Sequence, residues 1–289
     1  MDVLHLIDAS SFIYRSFFAL PPLKTSKGFP TGAIYGFLRA LLSIMKSERP
    51  THLAVIFDSP TPTKREEVYE QYKAGRPSMP DTLRLQIPVI KEILSLMGVP
   101  TFALAGYEAD DLIASLSEEF SRKGFLIRIY TPDKDMLQLV GEKIVVINPM
   151  DWEVYDEVKV REKFGVGPDK LADFLALVGD KTDNIEGIKG VGPKRAIGLI
   201  KEFGGVEGIL KRWEEFKKLY PEADREKLRM SYFLAKPLLG ANLSVDGEKL
   251  KLGKPDMKKL KEKLKELEMK SIIKDIEKVF LKASQGTLF

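Results

Sequence analysis

The 289-residue chain contains no cysteine and only two histidines, His5 and His52. Disulfide staples, thiol nucleophiles and zinc–thiolate centres are thereby excluded, and two histidines are too few for a histidine metal cage. Any metal chemistry must use oxygen ligands. Long apolar runs are missing as well. LHLI near the start and FLALVG from Phe174 fall far short of the ~20 residues that span a bilayer, and no charged-then-apolar leader with a small-residue cleavage site opens the chain. A cytoplasmic protein with no membrane partner is expected. A strong net charge is lacking too: 46 Lys and Arg face 42 Asp and Glu, for +4. That is modest for a binder of nucleic acid, but the charges are segregated. Lysines crowd between Lys249 and Lys282, a pattern open to reading as solvated surface or as phosphate contact, while acids occupy nearly uncharged contexts such as LIDAS and VIFDSP.

What is present is a globular pattern, 44% hydrophobic, with enough apolar residues for a large core. Short β-branched runs predict strands at Val3–Ile7, Leu53–Phe57, Thr101–Leu104, Leu126–Tyr130 and Lys143–Ile147, alternating with helical spacing. This rhythm predicts a largely parallel sheet covered by helices, whose ligands gather beyond the carboxyl ends of the strands. Asp8, Asp58, Glu108, Asp133 and Asp135 follow such runs. Between Asp58 and Met97 lies a basic, Pro-rich insertion longer than an ordinary connection, at about residues 60–97. Within it Asp81 is read as a helix cap and Pro88 as a kink. After about Asp156 the alternation stops, which divides the chain into an α/β unit (1–158) and a helical unit (159–289).

Phosphodiester hydrolysis requires an ionised water and a stabilised leaving oxygen, and two hard cations roughly 4 Å apart supply both. Carboxylates would hold them. The candidates are Asp8, Asp58, Glu108, Asp110, Asp111, Asp133, Asp135, Asp180 and Asp183. Each alone has an ordinary explanation as a cap or turn residue. Three acids within four positions of GYEADDL, however, repel one another unless a positive charge lies between them. In TPDKDMLQL, Asp133 and Asp135 are expected to reach one metal region while Lys134 points away. GIKGVGPKRA has the form of a glycine-punctuated hairpin between helices. There Gly187, Gly190 and Gly192 permit tight turns, and Pro193 opens the next helix with amides available to a phosphate. Lys189, Lys194 and Arg195 add cations along the path of a nucleic-acid backbone. In the insertion, Lys64, Arg65, Tyr69, Tyr72, Lys73 and Arg76 mix basic and aromatic residues as single-strand binders do. Arg15 follows Asp8 closely and is open to reading as a phosphate contact or a helix-face ion pair.

These motifs, LIDASSFIYR, TGAIYGF, VIFDSP, YKAGRP, GYEADDLIASL, TPDKDMLQL and GDKTDNIEGIKGVGPKRA, stand in the order found in the 5′ nuclease domain of bacterial DNA polymerase I and the flap endonuclease family, which the chain resembles over nearly its whole length. The resemblance implies a PIN-like nuclease fold, an α/β unit with a helical arch at about 60–97. It also implies a helical DNA-binding subdomain with a helix–three-turn–helix at about 171–202, often holding K+ on backbone carbonyls. By resemblance, Asp8, Asp58, Glu108, Asp110, Asp111 and Asp133 surround a first Mg2+ or Mn2+, and Asp135, Asp180 and Asp183 lie near a second. Arg65 and Lys73 are similar to arch cations that touch the scissile phosphate, Tyr72 to an arch aromatic that stacks a base, and Arg15 to a basic residue near the first motif.

The implied activity is 5′-3′ exonuclease and 5′-flap endonuclease, acting as a monomer on DNA flaps, nicks and ends, RNA-primed strands included. Two other readings compete with it: a PIN-type single-strand ribonuclease, which needs no hairpin from Gly187, and a catalytically idle DNA-binding accessory. The sequence stops soon after the nuclease region without a polymerase region, as expected of either a free-standing enzyme or a piece cut from a longer one. It also ends in SQGTLF, where Gln285, Leu288 and Phe289 are similar to peptides that dock on the bacterial sliding clamp, with a frayed tail as the alternative.

Overall fold

In the computed structural model, six strands form one sheet. The structure describes residues 2–59, 61–241 and 243–285, with side chains described through residue 280. The strands are β1 (Val3–Asp8), β2 (His52–Ile56), β3 (Thr101–Phe102), β4 (Leu126–Tyr130), β5 (Ile144–Ile147) and β6 (Val154–Tyr155). Their order across the sheet is β3-β2-β1-β4-β5-β6, parallel except for the last pair. The five strands expected from the sequence are all present. β6, two residues long, was not anticipated, because an antiparallel pair this short is made by the tight connection Asn148–Glu153 rather than by any periodic run. The order reverses between β1 and β4, so the crevice beyond their carboxyl ends is the natural place for a ligand.

Both faces of the sheet are buried, which explains why its strands are near-continuous apolar runs. Leu4, Leu6, Ala54, Ile56, Ile127 and Ile129 point to one face and meet the helix Ala109–Arg122 and the helical half of the chain. Ile7, Leu53, Val55 and Tyr130, one residue out of phase, point to the other. There they pack on helices Ala9–Ala19, Gly32–Glu48 and Gln86–Leu96 and on the last two helices, Met257–Glu266 and Lys270–Gln285. Helices Ala9–Ala19 and Gly32–Glu48 approach so closely that a Cβ on Gly36 would stand 2.6 Å from the Ser16 Cβ. The amides of Ala33 and Ile34 at the start of Gly32–Glu48 are capped by the buried Gln86 carbonyl, at 2.9 and 3.2 Å.

The insertion forms a five-residue helix, Lys64–Val68, a run of turns, and the helices Asp81–Arg84 and Gln86–Leu96. The break expected at Pro88 falls at Leu85, next to the Arg84 carbonyl whose i+4 partner would have been the missing Pro88 N–H. Pro80 rather than Asp81 occupies the cap position, so Asp81 is already inside the helix. From Glu157 onward every regular element among the described residues is helical. No helix of the described residues is long and apolar enough to cross a membrane.

Candidate active site

The acids gather where strand ends meet helix starts. Asp8 closes β1 and caps helix Ala9–Ala19, accepting from the Ser11 amide at 3.1 Å, from the Ser11 hydroxyl, and from Thr131 Oγ1 at 2.9 Å. Burial, aided by repulsion from Asp58, pushes its carboxyl up to about 6 against those donors. Asp58, exposed just beyond β2, accepts from the Ala109 amide at 2.8 Å, tying the second strand to the start of helix Ala109–Arg122. Glu108 caps that helix, and Asp110 and Asp111 lie in its first turn. Asp133 precedes the short helix Lys134–Leu139 and accepts from the Asp135 amide at 2.9 Å.

Two of these acids are crowded without compensation. Asp110 has no hydrogen bond or ion pair among the described residues, and burial followed by Asp133 and Asp8 raises its pKa well above the ordinary carboxylate value. Asp135 is raised to about 7 by burial and Asp133, and its Oδ1 is buried with no partner.

The remaining acids are held by cations. The insertion lies down on the site: Arg65 is 2% exposed and reaches Asp111 at 2.8 and 3.0 Å and Glu108 at 3.1 Å. Burial opposes charge on Arg65, but Asp111 outweighs it and holds the guanidinium above its ordinary pKa. Lys73 Nζ bonds Glu108 at 2.8 Å and approaches Asp183 at 4.0 Å, and Arg76 pairs with Asp183. Lys73 sits in the left-handed region at φ 55°, a conformation that non-glycine residues adopt mainly where surroundings demand it. Asp180 is gripped by Lys134 at 2.5 Å and by the Thr182 amide at 2.8 Å. Burial is the largest influence on it, yet those two contacts prevail and keep it below the usual value. Between insertion and acids only a cleft of about 20 Å³ remains, lined by Arg65, Tyr72, Glu108, Asp110, Asp135 and Asp183 among others.

Asp180 and Asp183 sit on a tight loop closed by reciprocal bonds between Asp180 and Ile185. It joins helix Leu171–Val178 to the hairpin that precedes helix Pro193–Phe203. Gly187 is required by close approach, since a Cβ there would stand 2.3 Å from the Val178 carbonyl oxygen, and Gly190 by its φ of 80°. Gly192 is extended at φ −95° with open space around its Cβ position, so the flexibility expected of it is not used. Lys194 is exposed, Lys189 pairs with Glu222 at 2.6 Å, and Arg195 donates to the Gly190 carbonyl at 2.6 Å.

Two family models tile the chain: "5′-3′ exonuclease, N-terminal resolvase-like domain" matches residues 3–165, and "5′-3′ exonuclease, C-terminal SAM fold" matches 166–258. A 5′-3′ exonuclease of Aquifex aeolicus is 58% identical over 289 residues, all of both chains. The chain belongs to the 5′-3′ exonuclease family. It is a nuclease. DNA polymerase I of Pseudomonas aeruginosa is 42% identical over 94% of this chain, which spans 31% of that protein's length. The fold is shared with a bacteriophage T5 flap endonuclease solved with DNA and metal ions (TM-score 0.67, 19% identity, 96% of this chain and 98% of that one). It is shared also with the catalytic core of Rad2 in complex with a DNA substrate (TM-score 0.62, 22% identity, 97% and 92%).

Several residues of this exonuclease-family site stand differently from their sequence-based expectation. Tyr72 is 4% exposed, with its hydroxyl 3.3 Å from Glu108, so no face is open for a base to stack on. Arg65 is buried against acids rather than presented to a phosphate. Lys134, expected to point away, bonds Asp180. Asp111 has both oxygens occupied. No group of three acids among the described residues is arranged as a ready metal cage. Arg15 is exposed and lines a cleft of about 300 Å³ with Ser11, Arg39, Pro132 and Met150, adjoining Asp8 through Ser11. Of the tail residues, Leu288 and Phe289 lie outside the described residues, and Gln285 is described only as the last residue of its helix.

Sequence reasoning missed the residues that hold the acids. Ser11 carried a signal, standing three residues after Asp8 at the start of a helix. Thr131 and the backbone of Lys236 and Leu238 carried none, because only the folded chain brings them to Asp8, Arg65 and Asp111.

Proposed function

We propose that this nuclease is a structure-specific 5′-3′ exonuclease and 5′-flap endonuclease on DNA, dependent on divalent cations and leaving 5′-phosphate and 3′-hydroxyl ends. The observation that carries the reading is the pair of uncompensated carboxylates at the head of the crevice. Asp110 has no partner, and the buried Asp135 Oδ1 faces no donor. Oxygen atoms left so are destabilising in themselves and fit hard cations. Asp8, Asp58, Glu108, Asp110 and Asp133 would hold one Mg2+ or Mn2+, and Asp135, Asp180 and Asp183 a second. When bound, such ions supply an ionised water and neutralise the departing oxygen.

The chain's own residues do the rest. Lys73 and Arg76, with side chains 19% and 45% exposed, pair with Glu108 and Asp183 while keeping an open side, and they meet a phosphate arriving over those acids. Arg15 stands at the mouth of the adjoining cleft, where a second phosphate would pass. The amides at the start of helix Pro193–Phe203, with Lys189 and Lys194 beside them, grip the duplex backbone. K+ remains a proposal for carbonyls of that turn other than Gly190, which Arg195 already occupies. The catalytic unit is residues 1–158 joined by the last two helices, which pack on its sheet, and the rest of the helical region from 159 binds the duplex. The substrates include RNA-primed strands, the working form is a monomer in the cytoplasm, and the tail Gln285, Leu288 and Phe289 would recruit it to the sliding clamp.

End-labelled flap, nicked, blunt and single-stranded substrates, each with EDTA, Mg2+ or Mn2+, test the reading. Cutting at the flap junction that needs the cation is expected. Cation-dependent cutting of single strands with no preference for a junction would overturn it.

A further inference from the structure

We infer that Asp111 serves the reaction as a positioning residue that fixes Arg65, and not as a metal ligand; the inference rests on the proposed metal-dependent cleavage. Its two oxygens receive four donors. Oδ1 accepts from Arg65 Nη2 at 2.8 Å and the Leu238 amide at 2.7 Å, and Oδ2 from Arg65 Nη1 at 3.0 Å and the Glu108 amide at 3.1 Å. A carboxylate offers about four lone-pair positions, so no coordination site is left. The residue is also fully buried, at 0% exposure. Its neighbour Asp110, one step around the same helix, has no donor at all. Adjacent acids in one motif therefore have opposite surroundings, and opposite tasks follow.

What Asp111 positions is shown by the other bonds of Arg65. Nη1 also reaches Glu108 at 3.1 Å, and Nη2 reaches the Lys236 carbonyl at 2.6 Å. One ion pair thus joins the insertion helix Lys64–Val68, the acidic start of helix Ala109–Arg122, and the segment that follows helix Arg225–Ala235 in the helical half. It sets the direction of the Glu108 carboxylate and the seat of the insertion at the same time. The buried Arg65 Nε, which has no partner, shows that the guanidinium is placed to suit the acids rather than to satisfy its own donors.

The test compares Asp111→Asn, Arg65→Gln, their double variant and Asp110→Asn in the full-length protein. Mn2+ binding is measured by calorimetry without DNA, amide exchange over residues 64–76 without metal, and kcat and KM on a flap. Asp111→Asn should leave Mn2+ affinity within about threefold, speed exchange in the insertion, and lower kcat by roughly 10- to 100-fold. Arg65→Gln should match it, and the double variant should be no slower than either, as for residues acting through one contact. Asp110→Asn should weaken Mn2+ binding and leave exchange unchanged. Mn2+ affinity falling as far for Asp111→Asn as for Asp110→Asn, or multiplying effects in the double variant, overturns the inference. Should Asp111→Asn fail to fold, Arg65→Gln decides alone, since wild-type turnover by it is equally contrary. Wild-type protein that does not cut the flap refutes the proposed function instead, while calorimetry and exchange still read on Asp111.

Discussion

At the residue scale, β1 carries two buried groups whose titrations oppose each other. His5 is buried, bonded to Tyr130 at 3.0 Å, and lowered to about 4 by burial and then by Arg128. As pH falls from about 6.5 the unfolded chain takes up a proton that the folded chain refuses, so stability drops until about pH 4, by roughly 3 kcal/mol. Asp8, raised to about 6, works the other way: the folded chain binds the proton first, and stability worth roughly 3 kcal/mol is lost as pH rises from about 4 through 6. Thermal melts in EDTA should therefore show Asp8→Asn gaining on wild type as pH climbs through that window, and His5→Gln gaining as pH falls through it. A pH-independent difference in either would contradict the assigned burial effects. Asp8 was legible in the sequence only in company: alone it reads as a helix cap, which it also is, and the other acids after apolar runs made it a site candidate. The burial of Arg65 and Tyr72 was not, because basic and aromatic residues in a polar insertion read alike whether the segment stands away from the site or folds onto it.

At the element scale, the hairpin before helix Pro193–Phe203 separates necessity from habit in its glycines. Gly187→Ala drives a Cβ into the Val178 carbonyl and should cost about 1–3 kcal/mol, as overpacking does, with duplex affinity falling alongside. Gly192→Ala meets open space at an ordinary φ and should melt and bind as wild type does. Melting curves with anisotropy on a nicked duplex check both, and equal losses would undo the distinction. The glycine spacing alone pointed to a hairpin but could not rank its members, since close approach depends on helix Leu171–Val178 running past it. Capping shows the same limit. Asp81 fits a cap by residue type and is not one, whereas Gln86, unremarkable by type, caps a helix more than fifty residues earlier in the chain. The parallel strands were legible because both faces are buried and the apolar runs are long. β6 was not, because a two-residue edge pair leaves no period to detect.

At the scale of the whole molecule, a net charge of +4 understates how binding should respond to salt, because the cations that count are local. Each lysine on a phosphate contributes about one to the slope of log affinity against log salt, so Lys194→Ala should flatten that slope by about 1 between roughly 50 and 200 mM. Lys189→Ala should flatten it less, since Glu222 already shares that charge. Titrations of a nicked duplex at several salt concentrations check the order, and a larger effect at Lys189 would reverse the assignment. The last two helices bear on a different matter. Leu260, Leu264, Ile272 and Ile276 fill the same core as Ile7, Phe37 and Val55, and the Leu252 and Gly253 amides bond back to Thr51 and Gly98. The sheet and these two helices thus close one hydrophobic interior between them, although the second family model stops at residue 258. A chain cut before Met257 would leave Ile7, Phe37 and Val55 without the side chains that cover them, so the strand ends that present the acids depend on helices more than two hundred residues further along the chain.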